Sequence, residues 1–249
     1  MYQFFVEPQQ IQGREILIQG SDVNHIRNVL RMRIGEELAV SNGVDGREYR
    51  CHIAAFTEDT VRCELRFIKE DGAELPSRIY LLQGLPKADK MELIIQKAVE
   101  LGAFEITPVV TRRTVVKLDK NKEAAKLARW NAIAESAAKQ SGRSLIPQVT
   151  RVMSFEEALG YGKDFQVRLI PYEHAEGMAE TKRQLESIGP GMDVGIYIGP
   201  EGGFEDREIE AAKGQGVEPV SLGKRILRTE TAGLMVLSVA GYLLESKGI

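Results

Sequence analysis

The sequence predicts an α/β protein: a parallel-sheet domain preceded by a small β domain. Three observations carry this. Residues 194–241 hold two apolar, β-branched runs, 194–198 and 217–222, each ending in a glycine-bearing loop and then resuming at helical period. Residues 78–110 read as strand, helix, strand, a unit that must cross over to pair in parallel. Residues 1–72 instead show short alternating runs separated by turn dipeptides.

The two C-terminal loops are IGPEGG at 198–203 and LGKRILRTET at 222–231. Tandem strand–loop–helix units place both loops at the carboxyl edge of a parallel sheet, where open α/β folds bind ligands. Gly199, Gly202, Gly203 and Gly223 lack Cβ, so backbone can approach a ligand closely, and Pro200 stiffens the first loop. Neither loop is a phosphate cradle of the G-x-x-x-x-G-K-[ST] or G-x-G-x-x-G type. Glu201 would repel a phosphate on that turn. A ligand with a cationic or neutral reactive part and a flat heterocycle fits better.

Composition narrows the class. The chain has 249 residues, 43% hydrophobic and 28% charged, which suits one large or two modest globular domains. The longest apolar run, 232–244, is interrupted by Gly233, Ser238 and Gly241 and is too short to span a membrane. The start, MYQFFVEPQQ, lacks the pattern of a secretory signal, so a cytoplasmic protein is expected, with Cys51 and Cys63 reduced in the core. His25, His52 and His174 are scattered and no cluster has zinc spacing, so no metal is expected. The net charge of −3 conceals an asymmetry. Residues 1–72 carry 9 Lys/Arg against 12 Asp/Glu, while residues 84–145 carry 12 against 7. A basic middle in an acidic chain suggests an anionic partner.

In chain order, candidate strands of the first domain are 3–6, 15–19, 37–41, 47–56 and 60–68, with turns at Asn42-Gly43 and Asp45-Gly46. A helical segment carried by residues 25–30, which Ser21 or Asp22 could cap, leads into Arg27, Arg31 and Arg33. Five short strands and one helix suggest a small barrel of the kind that grips RNA, with the three arginines on phosphate. Asp71-Gly72 and Pro76 bracket a linker. Residues 78–85 read as a buried strand. Residues 90–101 are an amphipathic helix stopped by Gly102, and 104–110 the next strand. Arg112, Arg113, Lys117, Lys120 and Lys122 form the densest basic run, ahead of a helix over 122–140 that carries Trp130, an anchor in the core or at an interface. Residues 155–159 read as a short helix and 166–170 as a strand. Its end, Pro171-Tyr172-Glu173, is a third carboxyl-edge turn. The last helix, 230–246, is apolar on nearly every face, and a homodimer interface is the natural way to bury it.

IGPEGGF followed by LGKRILRTETA is very similar to the RsmE-type 16S ribosomal RNA (uracil-N3) methyltransferase family of the SPOUT superfamily. HIRNVLRMRIGEEL, LPKADKMELIIQKAVELGAFEITPVVTRRTVVK and RWNAIAESAAKQSGRSLIPQV resemble it in the same order, so the likeness spans most of the chain. Gln3 stands where the family often has Arg, and Lys224 where Pro is frequent. The resemblance implies a PUA-like β-barrel at 1–72 that binds RNA, joined to an α/β domain at 73–249 with a deep trefoil knot. It implies S-adenosylmethionine held by Leu169, Pro171, Glu173, Gly199, Pro200, Glu201, Gly202, Leu222, Gly223, Ile226, Leu227, Arg228, Thr231 and Ala232. It also implies a homodimer that methylates N3 of a uridine in the decoding region of the 30S subunit.

The chemistry would be methyl transfer from a sulfonium to a ring nitrogen, in which the protein mainly aligns the reactants. Backbone groups at Leu222, Ile226 and Leu227 suit the adenine edge. Arg228 is the candidate to stabilise charge on the deprotonated uracil, with Thr229 or Thr231 as hydrogen-bond partners, and Glu230 or Glu201 the candidate proton acceptor. Arg27, Arg31, Arg33, Lys87, Arg112, Arg113 and Arg143 are the candidate RNA contacts, which predicts affinity that falls with salt. Two alternatives stay open: a SPOUT enzyme with another RNA target, and a non-catalytic RNA-binding ribosome-assembly factor.

Overall fold

The computed structural model describes residues 1–70, 72–116, 119–175 and 177–246. Asp71 of the expected linker and Lys117 of the basic run lie outside the described residues, as does the side chain of Lys120. The chain divides into two compact units, residues 1–74 with 138–146 and residues 75–137 with 147–249.

The first unit is built on strands β1 (Gln3–Phe5), β2 (Ile11–Gln12), β3 (Glu15–Gln19), β4 (Glu37–Ser41), β5 (Glu48–Phe56) and β6 (Thr60–Lys69). They pair in the order β1-β4-β5-β6-β3-β2, antiparallel except for β1 on β4. Strand periodicity puts Ile16 and Ile18, Leu38 and Val40, Cys51 and Ile53, and Val61 and Cys63 on the buried face. Both thiols are free and buried, as their core reading requires, and contact with Cys63 together with burial pushes the Cys51 thiol far above its usual range. The expected helix is the short α1 (Ser21–Asn24) continued by a wider turn, His25–Val29, that buries Ile26. Strand β2 was not legible: two residues are too few to show alternation.

Residues 138–146 complete this unit, joined to it by ion pairs that include a buried one between Glu74 and Arg143. Glu74 accepts from Arg143 Nε at 3.1 Å and from the backbone N–H groups of Ser144 and Leu145 at 3.0 and 3.1 Å. Arg143 is only 3% exposed, so its guanidinium is structural and is not presented to a phosphate. A buried cation stripped of its carboxylate is costly. Glu74→Ala is therefore expected to destabilise the protein by about 3–5 kcal/mol in denaturant titration. A loss below 1 kcal/mol would show that water reaches the arginine.

The second unit carries a parallel sheet of β7 (Arg78–Gly84), β8 (Glu105–Val110), β9 (Gln148–Val149), β10 (Met153–Ser154), β11 (Val167–Pro171), β12 (Asp193–Ile198) and β13 (Glu218–Val220). The order is β10-β8-β7-β12-β11-β13, with β9 also on β8. The helices are α2 (Lys90–Glu100), α3 (Lys120–Ser141), α4 (Phe155–Tyr161), α5 (Ala179–Ser187), α6 (Asp206–Gly214) and α7 (Thr229–Ser246). Reciprocal capping boxes start two of them: Ser154 with Glu157 for α4, and Glu205 with Glu208 for α6. One sheet face, with Tyr80, Leu82, Ile170 and Tyr197, packs against Phe155, Leu159, Ile209 and Ala212 of α4 and α6. The other face lies under α7, where Leu81 and Ile198 approach Gly233 closely. Pro219 sits in β13, an edge strand that tolerates its missing N–H. Trp130 is buried in the core.

Helix α7 answers its sequence in part. Val236, Leu237, Ala240 and Leu244 are buried against the sheet and α2. Leu234, Met235, Val239 and Leu243 are half-buried, and Tyr242 is 70% exposed. Helix α5 was not legible. Only Thr181 and Leu185 of its nine residues are buried, which leaves too narrow an apolar stripe to read.

Candidate functional site

Because β7, β12, β11 and β13 are neighbours and parallel, the turns that follow them leave the sheet on one edge. These turns wall a cavity of about 480 Å³. Its lining is residues 171–173 after β11, residues 198–204 after β12, residues 221–229 after β13, Ala232 of α7, and Lys90 of α2. That volume lies in the range of about 300–1,000 Å³ usual for small-molecule sites.

Each wall is held by identifiable bonds. Thr229, buried at the start of α7, donates its hydroxyl to Gly199 O at 2.6 Å and accepts from Gln83 Nε2 at 2.9 Å. This chain ties β7, the GPEGG loop and α7 together. Arg113 donates to Gly202 O at 2.7 Å and braces the same loop from outside. Thr181 of α5 donates to Ser221 O at 2.7 Å, and Tyr172 to Asp206 at 2.6 Å. Thr229→Val keeps the shape of the side chain but leaves Gly199 O and Gln83 Nε2 without that partner. The expected cost is about 1–3 kcal/mol in denaturant titration, with Thr229→Ser close to wild type. Equal stability of all three proteins would show that the bonds do not tie the walls.

Charge at the site is organised by Lys90. Its Nζ is 2.9 Å from Glu201 Oε1 and 3.5 Å from Glu230 Oε2. Glu201 also accepts from the Lys87 backbone N–H at 3.1 Å. The next residue, Ala88, is held at φ +54°, which costs a non-glycine residue about 1 kcal/mol. Partial burial draws the Glu201 carboxyl upward, but hydrogen bonds from Lys90 and from backbone outweigh it and leave the group below the ordinary carboxylate range. The hydrogen bond to Glu201 raises Lys90 above its usual value. Glu230 turns its second oxygen, Oε1, toward Arg228 Nη1 at 4.0 Å, and the Arg228 side chain is 82% exposed.

The residues named from the sequence divide as follows. Pro171, Glu173, Gly199, Pro200, Glu201, Gly202, Leu222, Gly223, Ile226, Leu227, Arg228 and Ala232 all line the cavity. Leu169 does not; it is fully buried in β11, two residues short of the opening. Glu230 and Thr231 also fall outside the lining. Glu230 reaches the site through Lys90, and Thr231 is exposed in the first turn of α7, where its N–H bonds to Arg228 O. Ile226 lines the mouth with its side chain 86% exposed. Among the RNA candidates, Arg31, Arg33, Lys87, Arg112 and Arg113 are exposed. Arg27 is half-buried, with its guanidinium 5.3 Å from the Phe56 ring centre and a hydrogen bond to Glu58 O. Sequence reasoning missed Lys90 and Gln83. The available signal was that 85–90 also follows a strand of the same sheet, so its turn belongs to the same edge. Among the described residues, no group of three or more His, Cys, Asp or Glu could hold a metal ion, and no helix is long and apolar enough to cross a membrane.

The comparisons agree with this architecture. Residues 73–241 match the family model of an RNA methyltransferase domain, and residues 18–66 that of an RNA methyltransferase PUA domain. Fold and site thus define an RNA methyltransferase with an appended PUA domain. The chain is 39% identical to the ribosomal RNA small subunit methyltransferase E of Bacillus subtilis over 98% of both chains. It is 32% identical to that of Mesomycoplasma hyopneumoniae over 96% of this chain and 98% of the relative. The crystal structure of the Neisseria gonorrhoeae methyltransferase E bound to S-adenosyl methionine superposes with a TM-score of 0.82 at 30% identity, covering 98% of each chain. The chain belongs to the ribosomal RNA small subunit methyltransferase E family.

Proposed function

We infer that this protein transfers a methyl group from S-adenosylmethionine to N3 of a uridine in 16S ribosomal RNA, in the decoding region of the small subunit. The observation that carries the reading is the cavity walled by three carboxyl-edge turns, with a carboxylate-rich side and an exposed arginine at its mouth. The residues present fit the cofactor. Gly199 and Gly202 allow backbone to approach it, Leu222 and Leu227 offer apolar contact to a flat ring, and Glu173 and Glu201 complement a cation. When bound, S-adenosylmethionine supplies a methyl group already activated by its sulfonium.

The chain's own residues do the rest. Backbone groups of Leu222, Ile226 and Leu227 orient the adenine. Uracil N3 must lose its proton before its lone pair can attack, and the resulting charge spreads onto O2 and O4. Arg228, unencumbered by a close ion pair, faces that charge. Glu230, with Oε1 beside Arg228 and Oε2 held by Lys90, takes the proton. Glu201 has its oxygens committed to Lys87 N–H and Lys90, and it serves as the latch of the 87–90 turn.

We assign residues 1–72 to RNA binding, through Arg27, Arg31 and Arg33, and residues 73–249 to catalysis, with Lys87, Arg112 and Arg113 as further RNA contacts. The placement of β12 between β7 and β11, with successive turns converging on one cavity, supports the deep trefoil knot of the SPOUT superfamily. The half-open apolar face of α7 supports a homodimer, and a ribosomal RNA substrate supports a cytoplasmic enzyme. The test is incubation with methyl-labelled S-adenosylmethionine and small subunits lacking the modification, followed by nucleoside analysis. Label is expected in N3-methyluridine. Label in another nucleoside moves the target, and no binding of S-adenosylmethionine in calorimetry removes the catalytic reading.

A further inference from the structure

The rim of the cavity is not uniform. Lys90 is tied to Glu201, so that cation is committed to the protein. Residues 224–226 behave differently. Lys224, Arg225 and Ile226 all line the mouth and are all exposed. Among the described residues, neither Lys224 nor Arg225 has a carboxylate within 4.0 Å. Ile226, at 86%, is the most exposed large apolar side chain of the described residues. Gly223, at φ +99°, turns the chain outward just before them. A lone exposed apolar residue is ordinary. One that directly follows two uncommitted cations, at the lip of a site that must receive a base, has a specific use.

That use follows from what the substrate must do. N3 lies on the pairing edge of uracil, and a base stacked in RNA cannot carry that edge into a cavity. The nucleotide has to swing out, at a cost in lost stacking. Proteins lower that cost by placing an apolar side chain in the gap, and they hold the distorted strand by its phosphates.

The geometry points to residues 224–226 as the docking lip for the single RNA strand that carries the target uridine. Lys224 and Arg225 bind the phosphates flanking it, and Ile226 fills the place in the stack that the uridine leaves. Lys90 cannot do this, because binding a phosphate would break its ion pair with Glu201, which shapes the pocket. The assignment rests on the proposed methylation of a ribosomal uridine and specifies how that uridine is delivered.

The experiment uses the full-length protein, small subunits lacking the modification, and a decoding-region RNA fragment with 2-aminopurine beside the target uridine. The double variant Lys224→Ala/Arg225→Ala should raise KM for subunits at least about tenfold. It should also flatten the slope of log affinity against log salt by about 1.4, the share of two phosphates on a single strand. Ile226→Ala should lower kcat about tenfold with KM for subunits within about threefold, and Ile226→Leu should restore it. Wild type should brighten the 2-aminopurine on binding, and Ile226→Ala should not.

Four results overturn the proposal. Wild-type kinetics and salt slope in both variants would do so while leaving the methylation reading intact. A fall in S-adenosylmethionine affinity of more than about tenfold in either variant would assign these side chains to the cofactor instead. Conversion of a dimer to a monomer by Ile226→Asp in sedimentation would show that a second copy covers the lip. A wild-type protein that binds S-adenosylmethionine but methylates no RNA removes the underlying reading, and the lip with it.

Discussion

Arg228→Ala should abolish methyl transfer, lowering kcat by about a thousandfold or more, while S-adenosylmethionine affinity changes by no more than about threefold. The expectation comes from how the arginine is held. Its side chain is 82% exposed, and among the described residues its carboxylate partner, Glu230, is 4.0 Å away. A guanidinium that served as a strut would be buried and bonded on several sides, as Arg143 is by Glu74. Arg228 lines the cavity with no close ion pair holding it, and in the proposed reaction it answers the negative charge on the base. Removing it should therefore cost transition-state stabilisation and little ground-state binding. Arg228→Lys tests the geometry of that contact. A point charge lacks the planar fork that can meet a ring oxygen and its neighbour together, so only partial recovery is expected. Single-turnover rates with saturating cofactor separate chemistry from product release. Wild-type rates in Arg228→Ala would transfer the role to another group, and a parallel collapse of cofactor affinity would make the arginine part of the binding wall.

The reach of the sequence can be judged from particular residues. The GPEGG and RILRTET loops were legible because glycine and proline break β-branched runs in a local pattern, and parallel strands put such breaks on one edge. Strand β11 and its Pro171–Glu173 turn followed from the same rule. Lys90 was not legible as a site residue. It looks like any lysine in the first turn of a helix, and its importance arises because β7 lies beside β12, which brings it to Glu201, 111 positions away. Arg143 misled for the mirror-image reason. A cation in a basic stretch reads as surface, and its carboxylate partner is 69 positions distant. In each instance the missing information is a long-range pairing, which local spacing does not encode. Thr229 shows the intermediate situation. Its motif marked it as a hydrogen-bonding residue, but its partners, Gly199 O and Gln83, required the sheet.

Gly84→Ala is the second change with a large expected effect. Gly84 ends β7 directly beneath the GPEGG loop. A methyl group built on its Cα would lie 2.6 Å from Pro200 N, 2.7 Å from Pro200 Cδ and 2.8 Å from Gly199 C. No flexible side chain is available to yield, so the loop itself has to move by roughly an ångström. Overpacking of this kind costs about 1–3 kcal/mol of stability. The loop that would move carries Glu201 and the carbonyl that Thr229 holds, so the displacement is transmitted to the latch on Lys90 and to the first turn of α7. Misplacing a site by that distance typically costs about a hundredfold in rate. The expected result is a lowered Tm together with a loss of methyl transfer of about that size and weakened cofactor binding. Gly160→Ala is the control. Gly160 lies inside α4 with open space where a Cβ would go, so alanine should be neutral or slightly stabilising there, by up to about 1 kcal/mol. If Gly84→Ala matched Gly160→Ala in Tm, affinity and rate, the strand end and the loop would have slack between them. The close backbone approach could not then be what fixes the shape of the pocket.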